Sequence, residues 1–323
     1  MTSEANIIAT SVNERHLAAE TWESIMNTPA PEHGRLHATI AVILDAPLRQ
    51  RALAILQDRV IQYPKFKEIL QQAHWMFLEP PTIRARGLIV QADCNNGKTA
   101  LAYLMDRRFQ PQDGGAGLCA ISISMSGVRD ARTVYGRILE KLGGPVLVSH
   151  RLSDREPVVL SLLEKTNCRL LILDEVQDLT FGSEKDQQRV LQSIKTIMNA
   201  LRLPVLALGT SKAGHWFRSD PHLAARFGET HLPVWKADKS LAAFLATYER
   251  YLPLKEASNL QEREKVAFLA KSGEGKLGAI VARVQNAALM ALEQGEECIT
   301  LAHLQAAEFR PGKLLIESQE MAA

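Results

Sequence analysis

The sequence predicts an α/β protein: a parallel five-stranded sheet covered by helices on both faces, a helical segment before it and a helical lid after it. Three observations predict it. Five short apolar runs alternate with stretches of helical periodicity between residues 87 and 235. The chain before residue 82 shows helical spacing broken by prolines, and from about residue 238 onward it is helical throughout. Continuous apolar runs mark strands buried on both faces, which is the pattern of a parallel sheet.

In order along the chain, residues 1 to about 45 are mixed, with Pro29, Pro31 and Gly34 breaking any long element. Apolar residues at 48, 52, 53, 56, 60 and 61 predict a helix over 48–61. Tyr63-Pro64 stops it, KFKEILQQAHWMFLE begins another, and Pro80-Pro81 closes the segment. The predicted strands are GLIVQA (87–92), LCAISISM (118–125), RLLILDE (169–175), PVLALGT (204–210) and HLPVW (231–235). Helices are predicted near 98–108, 130–142, 155–165 and 186–201. Four helical stretches follow, beginning SLAAF, LQERE, LGAIV and TLAHL, with Gly273 to Gly278 and Gly295 between them. The expected organisation is an N-terminal helical segment (1–82), a nucleotide-binding α/β core (83–236) and a helical lid with tail (237–323).

Composition narrows the class. A chain of 323 residues, 46 % hydrophobic and 23 % charged, can bury the core of one large domain or two modest ones. No apolar run approaches the ~18–20 residues that span a bilayer. The opening MTSEANIIATSVNERH has acids and no basic region before an apolar stretch, which predicts no signal peptide. Cys94, Cys119, Cys168 and Cys298 have no metal-ligand spacing and read as reduced structural thiols. A cytoplasmic protein without a membrane partner is the expectation. With a net charge of +2, any contact with nucleic acid has to come from a local stripe of Lys and Arg.

The chemistry concentrates after the first predicted strand, in QADCNNGKTA (91–100). A strand, then a loop ending Gly-Lys-Thr, then a helix is the arrangement in which backbone N–H groups and a helix N-terminus cradle phosphates. The candidate nucleotide-binding residues are Asp93, Cys94, Asn95, Asn96, Gly97, Lys98, Thr99 and Ala100. Lys98 is placed to meet the β- and γ-phosphates, and the Thr99 hydroxyl to meet Mg²⁺. Position 92 carries alanine where the phosphate-loop consensus has glycine. Alanine there is compatible with a negative φ and strained at a positive one.

The third apolar run ends in two carboxylates, Asp174 and Glu175. Unpaired charges at a buried strand end are costly, and a metal–nucleotide complex beside them removes the objection. Asp174 is the candidate second metal ligand, and Glu175 the residue that orients and polarises the attacking water. Thr210, closing the fourth run, is placed to meet the γ-phosphate or that water. Arg226, just before HLPVW, is placed to project into the nucleotide of the next subunit.

Together these residues resemble the AAA+ ATPases and, more narrowly, the TniB/TnsC family of transposition regulators. The resemblance rests on Tyr63-Pro64 ahead of a helix, NNGKT, LLILDE and the LGT…LAARF arrangement, and covers roughly residues 45–310. It departs from the wider AAA+ pattern at Gly275-Lys276-Leu277-Gly278, where a lid arginine is expected and none stands. The resemblance implies an ATP- and Mg²⁺-dependent homo-oligomer, ring or helical filament, assembled around double-stranded DNA. It implies recruitment of a DDE transposase and a TniQ-like target selector, with disassembly on hydrolysis. It points to Arg129, Arg132 and Arg151, near the loops after the second core strand, as DNA-phosphate contacts. Two other readings stand beside it: a helicase-loader or replication-initiator ATPase, and a nucleotide-dependent scaffold that does not hydrolyse.

Overall fold

The computed structural model describes residues 35–109, 118–146 and 151–307. Residues 1–34 and 308–323 of the two expected outer segments lie outside these. Ahead of the sheet come α1 (Ala38–Ala41), α2 (Leu48–Leu56) and α3 (Pro64–Leu78). The core is built from β1 (Gly87–Gln91), α4 (Lys98–Arg108), β2 (Cys119–Ser124), α5 (Ala131–Lys141), α6 (Leu152–Lys165) and β3 (Cys168–Asp174). It continues through a 3₁₀ turn (Val176–Phe181), α7 (Glu184–Leu201), β4 (Val205–Gly209), α8 (Ser211–Arg218), α9 (Pro221–Ala224) and β5 (Phe227–His231). The lid comprises α10 (Lys239–Glu249), α11 (Arg263–Ser272), α12 (Leu277–Glu293) and α13 (Leu301–Ala306).

The five strands form one parallel sheet in the order β2-β3-β4-β1-β5. Alternate side chains of each central strand enter different cores, as the pleat requires. Val90, Leu170, Ile172, Leu206 and Leu208 pack with the N-terminal helices and the lid. Ile89, Leu171, Leu173, Val205 and Ala207 pack with α5, α6, α7 and α8. Burial on both faces is why these strands read as continuous apolar runs.

Two expected elements change. The helix over 48–61 ends at Leu56, with Gln57 extended at φ −64°, ψ 130°. Tertiary contacts take over there: the Arg59 guanidinium bends back to Gln57 and sits 5.4 Å over the Tyr251 ring, and Val60 and Ile61 pack on the core from outside any helix. The last strand is Phe227–His231, where HLPVW (231–235) was expected. As an edge strand its central residues are half wet, so no apolar run announces it. Pro233, two residues beyond, has no N–H to give a ladder.

The described N-terminal segment is fastened to the lid. Arg51 forms an ion pair with Glu297 and donates to the Pro253 carbonyl at 2.7 and 2.9 Å. The Gln285 amide donates to Ile55 O at 2.9 Å. Among the described residues no helix is long and apolar enough to cross a membrane.

Candidate functional site

Because all five strands run the same way, their carboxyl ends gather the loops where ligands bind in open α/β sheets. The register sets Gln91 opposite Gly209 and Ser124 opposite Asp174 along that edge. The loop from β1 to α4 starts with the Ala92 N–H bonded to Gly209 O at 2.9 Å. Ala92 is not among the residues with positive φ, so alanine stands at this corner without strain. The left-handed positions are Asn95 (φ 63°) and Gly97 (φ 89°). A Cβ on Gly97 would meet nothing within 4 Å, so backbone angle alone asks for glycine there. Gly97 caps α4, whose first N–H groups have no partner within the helix and face the loop. Lys98 is buried, its Nζ donating to Ala92 O at 3.1 Å and Asp93 O at 2.9 Å.

The Thr99 hydroxyl lies beside the Asp174 carboxylate and favours its ionised form, bringing the two candidate metal ligands together. Asp174 is buried at the end of β3 and accepts the Glu175 N–H at 2.9 Å. Burial pushes its carboxyl above the usual carboxylate value, only partly opposed by the Thr99 hydroxyl and the Glu175 N–H. Glu175 itself is left-handed (φ 57°, ψ 38°), a conformation a non-glycine residue adopts at a cost and one that collects at functional sites. The Gln177 side chain donates to the Glu175 carboxylate and accepts the Thr210 N–H at 3.3 Å. The Thr210 hydroxyl oxygen is buried and without a hydrogen-bond partner in the protein, a polar atom available to a ligand. An anion in the loop, a divalent cation between Thr99 and Asp174, and a reacting group near Thr210 and Glu175 match the groups this site presents.

Arg226 is not brought to this edge. It precedes β5, at the amino ends of the strands, and its guanidinium donates to Asn199 Oδ1 at 2.6 Å. A five-residue strand is ~17 Å long, so within one chain Arg226 and Lys98 serve opposite edges of the sheet. Arg226 shares a cavity of about 290 Å³ with Arg84, Arg86 and His222. The three candidate DNA contacts are exposed at one end of the α5–α6 pair. Arg129 and Arg132 flank the start of α5, and Arg151 caps α6. The buried Arg155 guanidinium, one turn into α6, donates to Arg132 O at 3.0 Å and holds the two starts together.

Sequence reasoning missed Gln177, whose only signal is an amide two residues after the acids. It also missed Arg84 and Arg86, which join Arg226 only through the pairing of β1 with β5. The Tyr63 ring lies edge-on to Trp235 at 4.8 Å, with the Tyr63 hydroxyl and the Trp235 indole N–H both buried and without a partner.

Comparison with known proteins agrees with this architecture. No curated protein sequence matches the chain. Among solved structures, the ORC2 protein of Aeropyrum pernix in ADPNP–ADP complexes is 16 % identical with a TM-score of 0.56, the match covering 84 % of this chain and 74 % of that one. The Aeropyrum pernix ORC1 protein in complex with DNA is 20 % identical with a TM-score of 0.60, covering 79 % and 68 %. Drosophila ORC bound to DNA is 16 % identical with a TM-score of 0.54, covering 93 % and 73 %. At these identities the likeness establishes the fold, that of the AAA+ ATPases. The family model described as bacterial TniB protein matches residues 51–237, more than half of the chain and all of the loop, acid and arginine positions above, and the chain belongs to the TniB family.

Proposed function

We propose that the protein is an ATP-dependent regulator of DNA transposition. The observation that carries this reading is the set Lys98, Thr99, Asp174, Glu175, Gln177 and Thr210, gathered at one edge of the sheet in a TniB-family chain. In this reading residues 83–236 form the nucleotide-binding core, flanked by the N-terminal segment and the lid.

The loop N–H groups of residues 93–100 bind the phosphates, and Lys98 exchanges its two carbonyl partners for them, keeping its charge paired throughout. Thr99 and Asp174 hold Mg²⁺, which neutralises the phosphate charge when bound. Glu175, kept in place by Gln177, orients the attacking water and takes its proton. Thr210 offers its hydroxyl to the γ-phosphate. Arg226 reaches a neighbouring subunit's nucleotide, since it cannot reach its own.

That division makes the oligomer a condition of turnover, so the bound nucleotide joins subunits and hydrolysis releases them. Arg129, Arg132 and Arg151 contact DNA phosphates, giving binding that is independent of sequence and weakened by salt. The assembly recruits a DDE transposase and a TniQ-like target selector in the cytoplasm. The test is to mix the protein, a non-hydrolysable ATP analogue and duplex DNA and to look by electron microscopy. Rings or filaments on the duplex are expected, and lost when Arg129 and Arg151 are both changed to Glu while ATP binding persists. Monomers under these conditions, or unchanged duplex affinity in the double variant, would overturn the reading.

A further inference from the structure

The lid helix α12 begins without a cap of its own. Lys276 at the cap position makes no side-chain capping bond. The first N–H groups of a helix have no partner within it and are normally met by a Ser, Thr, Asp or Asn just before it. Here the phosphate loop meets them, 181 residues away in the chain. The side-chain oxygen of Asn96 accepts the Leu277 N–H at 2.8 Å, and the main-chain carbonyl of Asn95 accepts the Gly278 N–H at 2.9 Å. Asn96 is buried, and its amide also donates to Pro233 O at 3.3 Å, on the segment that leads into the lid. The approach is so close that a Cβ on Gly278 would collide with the Asn95 side chain.

The same peptides therefore have two faces. The Asn95 carbonyl and the Asn96 side chain cap the lid helix, and in a trans peptide the N–H points away from the carbonyl, so the Asn96 N–H is turned away from α12 toward the side proposed for phosphate. This stands where the lid carries no arginine: Gly275, Lys276, Leu277 and Gly278 contain none. From this geometry we infer that Asn96 is a positioning residue that couples the lid to the phosphate loop, so that lid docking and nucleotide binding reinforce each other. The inference rests on the nucleotide reading of the loop given above. An anion on the N–H side polarises the Asn95–Asn96 peptide and strengthens the Asn95 carbonyl as an acceptor for α12, beside the bond that the Asn96 side chain makes. Linkage makes the effect mutual: a lid loosened from Asn96 weakens ATP by the factor by which ATP tightens the lid. Glu175, Gln177 and Thr210 lie just past the ends of β3 and β4, outside the contact between loop and lid, so the coupling acts on binding more than on the chemical step.

The experiment uses the full-length chain and the variants Asn96→Ala and Asn96→Asp. Amide hydrogen exchange is followed over residues 277–281 with and without ATP, alongside ATP affinity and steady-state hydrolysis. Without nucleotide, Asn96→Ala is expected to speed exchange there by roughly five- to thirty-fold, the effect of losing a helix cap. Its ATP affinity falls about five- to ten-fold, a larger change than any in kcat at saturating ATP. Asn96→Asp keeps an acceptor for the Leu277 N–H, so protection at 277–281 returns, although its charge beside the phosphates weakens ATP. Unchanged exchange in Asn96→Ala, or equal loss of protection in both variants, overturns the coupling. Loss of kcat in step with affinity overturns the positioning role. If the unchanged chain binds no ATP, the nucleotide reading itself falls, while the exchange data still decide whether Asn96 holds the lid.

Discussion

The side-chain amide of Gln177 donates to the carboxylate of Glu175, and its oxygen accepts the Thr210 N–H at 3.3 Å. One amide thus ties the end of β3 to the end of β4. Glu175 has spent one of its acceptor positions on this bond and holds a left-handed backbone (φ 57°) that only surrounding contacts sustain. The carboxylate proposed as the base is therefore fixed in direction by a residue that touches no phosphate.

Replacing Gln177 by Ala frees that carboxylate to rotate. For a base acting on a water, misplacement by about 1 Å costs on the order of a hundredfold. Gln177→Ala is expected to lower kcat by about ten- to a hundredfold with little change in KM. Glu175→Gln is expected to remove turnover and keep ATP binding. Hydrolysis measured with duplex present decides it, and an unaltered kcat in Gln177→Ala would show that the amide only packs.

Asp174 sets a conflict between stability and function. Burial raises its carboxyl above 3.8, so the ionised form is disfavoured in the fold relative to the unfolded chain. The sign follows: stability is fullest where Asp174 is protonated and falls as pH rises through the unfolded and then the raised folded value. At neutral pH without Mg²⁺–ATP, Asp174→Asn is therefore expected to melt higher than the unchanged chain. The gap should close below pH ~4, where both side chains are neutral. Mg²⁺–ATP should raise the Tm of the unchanged chain much more than that of the variant. A lower Tm for Asp174→Asn at neutral pH would show that the Thr99 hydroxyl and the Glu175 N–H stabilise the carboxylate by more than burial costs it.

The sheet and the phosphate loop were legible because both are local. Apolar runs report strands buried on two faces, and Asn95 to Thr99 followed by α4 is a contiguous motif. The corner at Ala92 needed a backbone angle, which no residue name supplies. The last strand was misplaced because an edge strand, Phe227–His231, has polar residues at its centre, while of the apolar HLPVW only His231 lies in the strand and Leu232 adds one bond, to Gln91 O, before Pro233. Gln177, the pair Asn96–Leu277 and the cluster Arg84–Arg86–Arg226 were out of reach for another reason. Each is made by contacts between segments distant in sequence or by a side-chain direction, and spacing along the chain encodes neither.

The Arg51–Glu297 pair decides how firmly the N-terminal segment holds the lid. Arg51 is almost wholly buried (4 % side-chain exposure) and Glu297 partly so (26 %). Removing one partner of a buried pair costs ~3–5 kcal/mol, and the exposure of Glu297 puts Arg51→Ala toward the lower end. The Arg51 guanidinium holds the Glu297 carboxyl below its ordinary 4.5. Its contribution is thus present above pH 4.5 and lost as pH falls through the depressed value. Arg51→Ala is expected to lower the midpoint of chemical denaturation at pH 7 and to flatten the loss of stability below pH ~4.5. Equal acid sensitivity in the two proteins would assign that loss to other carboxylates.

Arg226 lies across the sheet from the loop it is proposed to serve, so its action in trans can be separated from action in its own subunit. An Arg226→Ala subunit keeps a complete loop, Asp174 and Glu175, but offers its neighbour no arginine. A Glu175→Gln subunit cannot hydrolyse yet presents Arg226. Each alone is expected to lose ATP turnover by about a thousandfold or more. Mixed in equal amounts with duplex, they form interfaces in which an intact Glu175 faces an intact Arg226, and part of the activity returns. Arg84 lines the same cavity as Arg226 and adds positive charge to the face proposed to meet the neighbour's nucleotide, while Arg86 is paired with Glu79 at 3.3 Å. Arg84→Ala is therefore expected to lower turnover about tenfold and, mixed with Glu175→Gln, to be rescued in the same way. Recovery in neither mixture would mean that the arginines act within their own chain or only hold the amino ends of β1 and β5, and the trans assignment would fall.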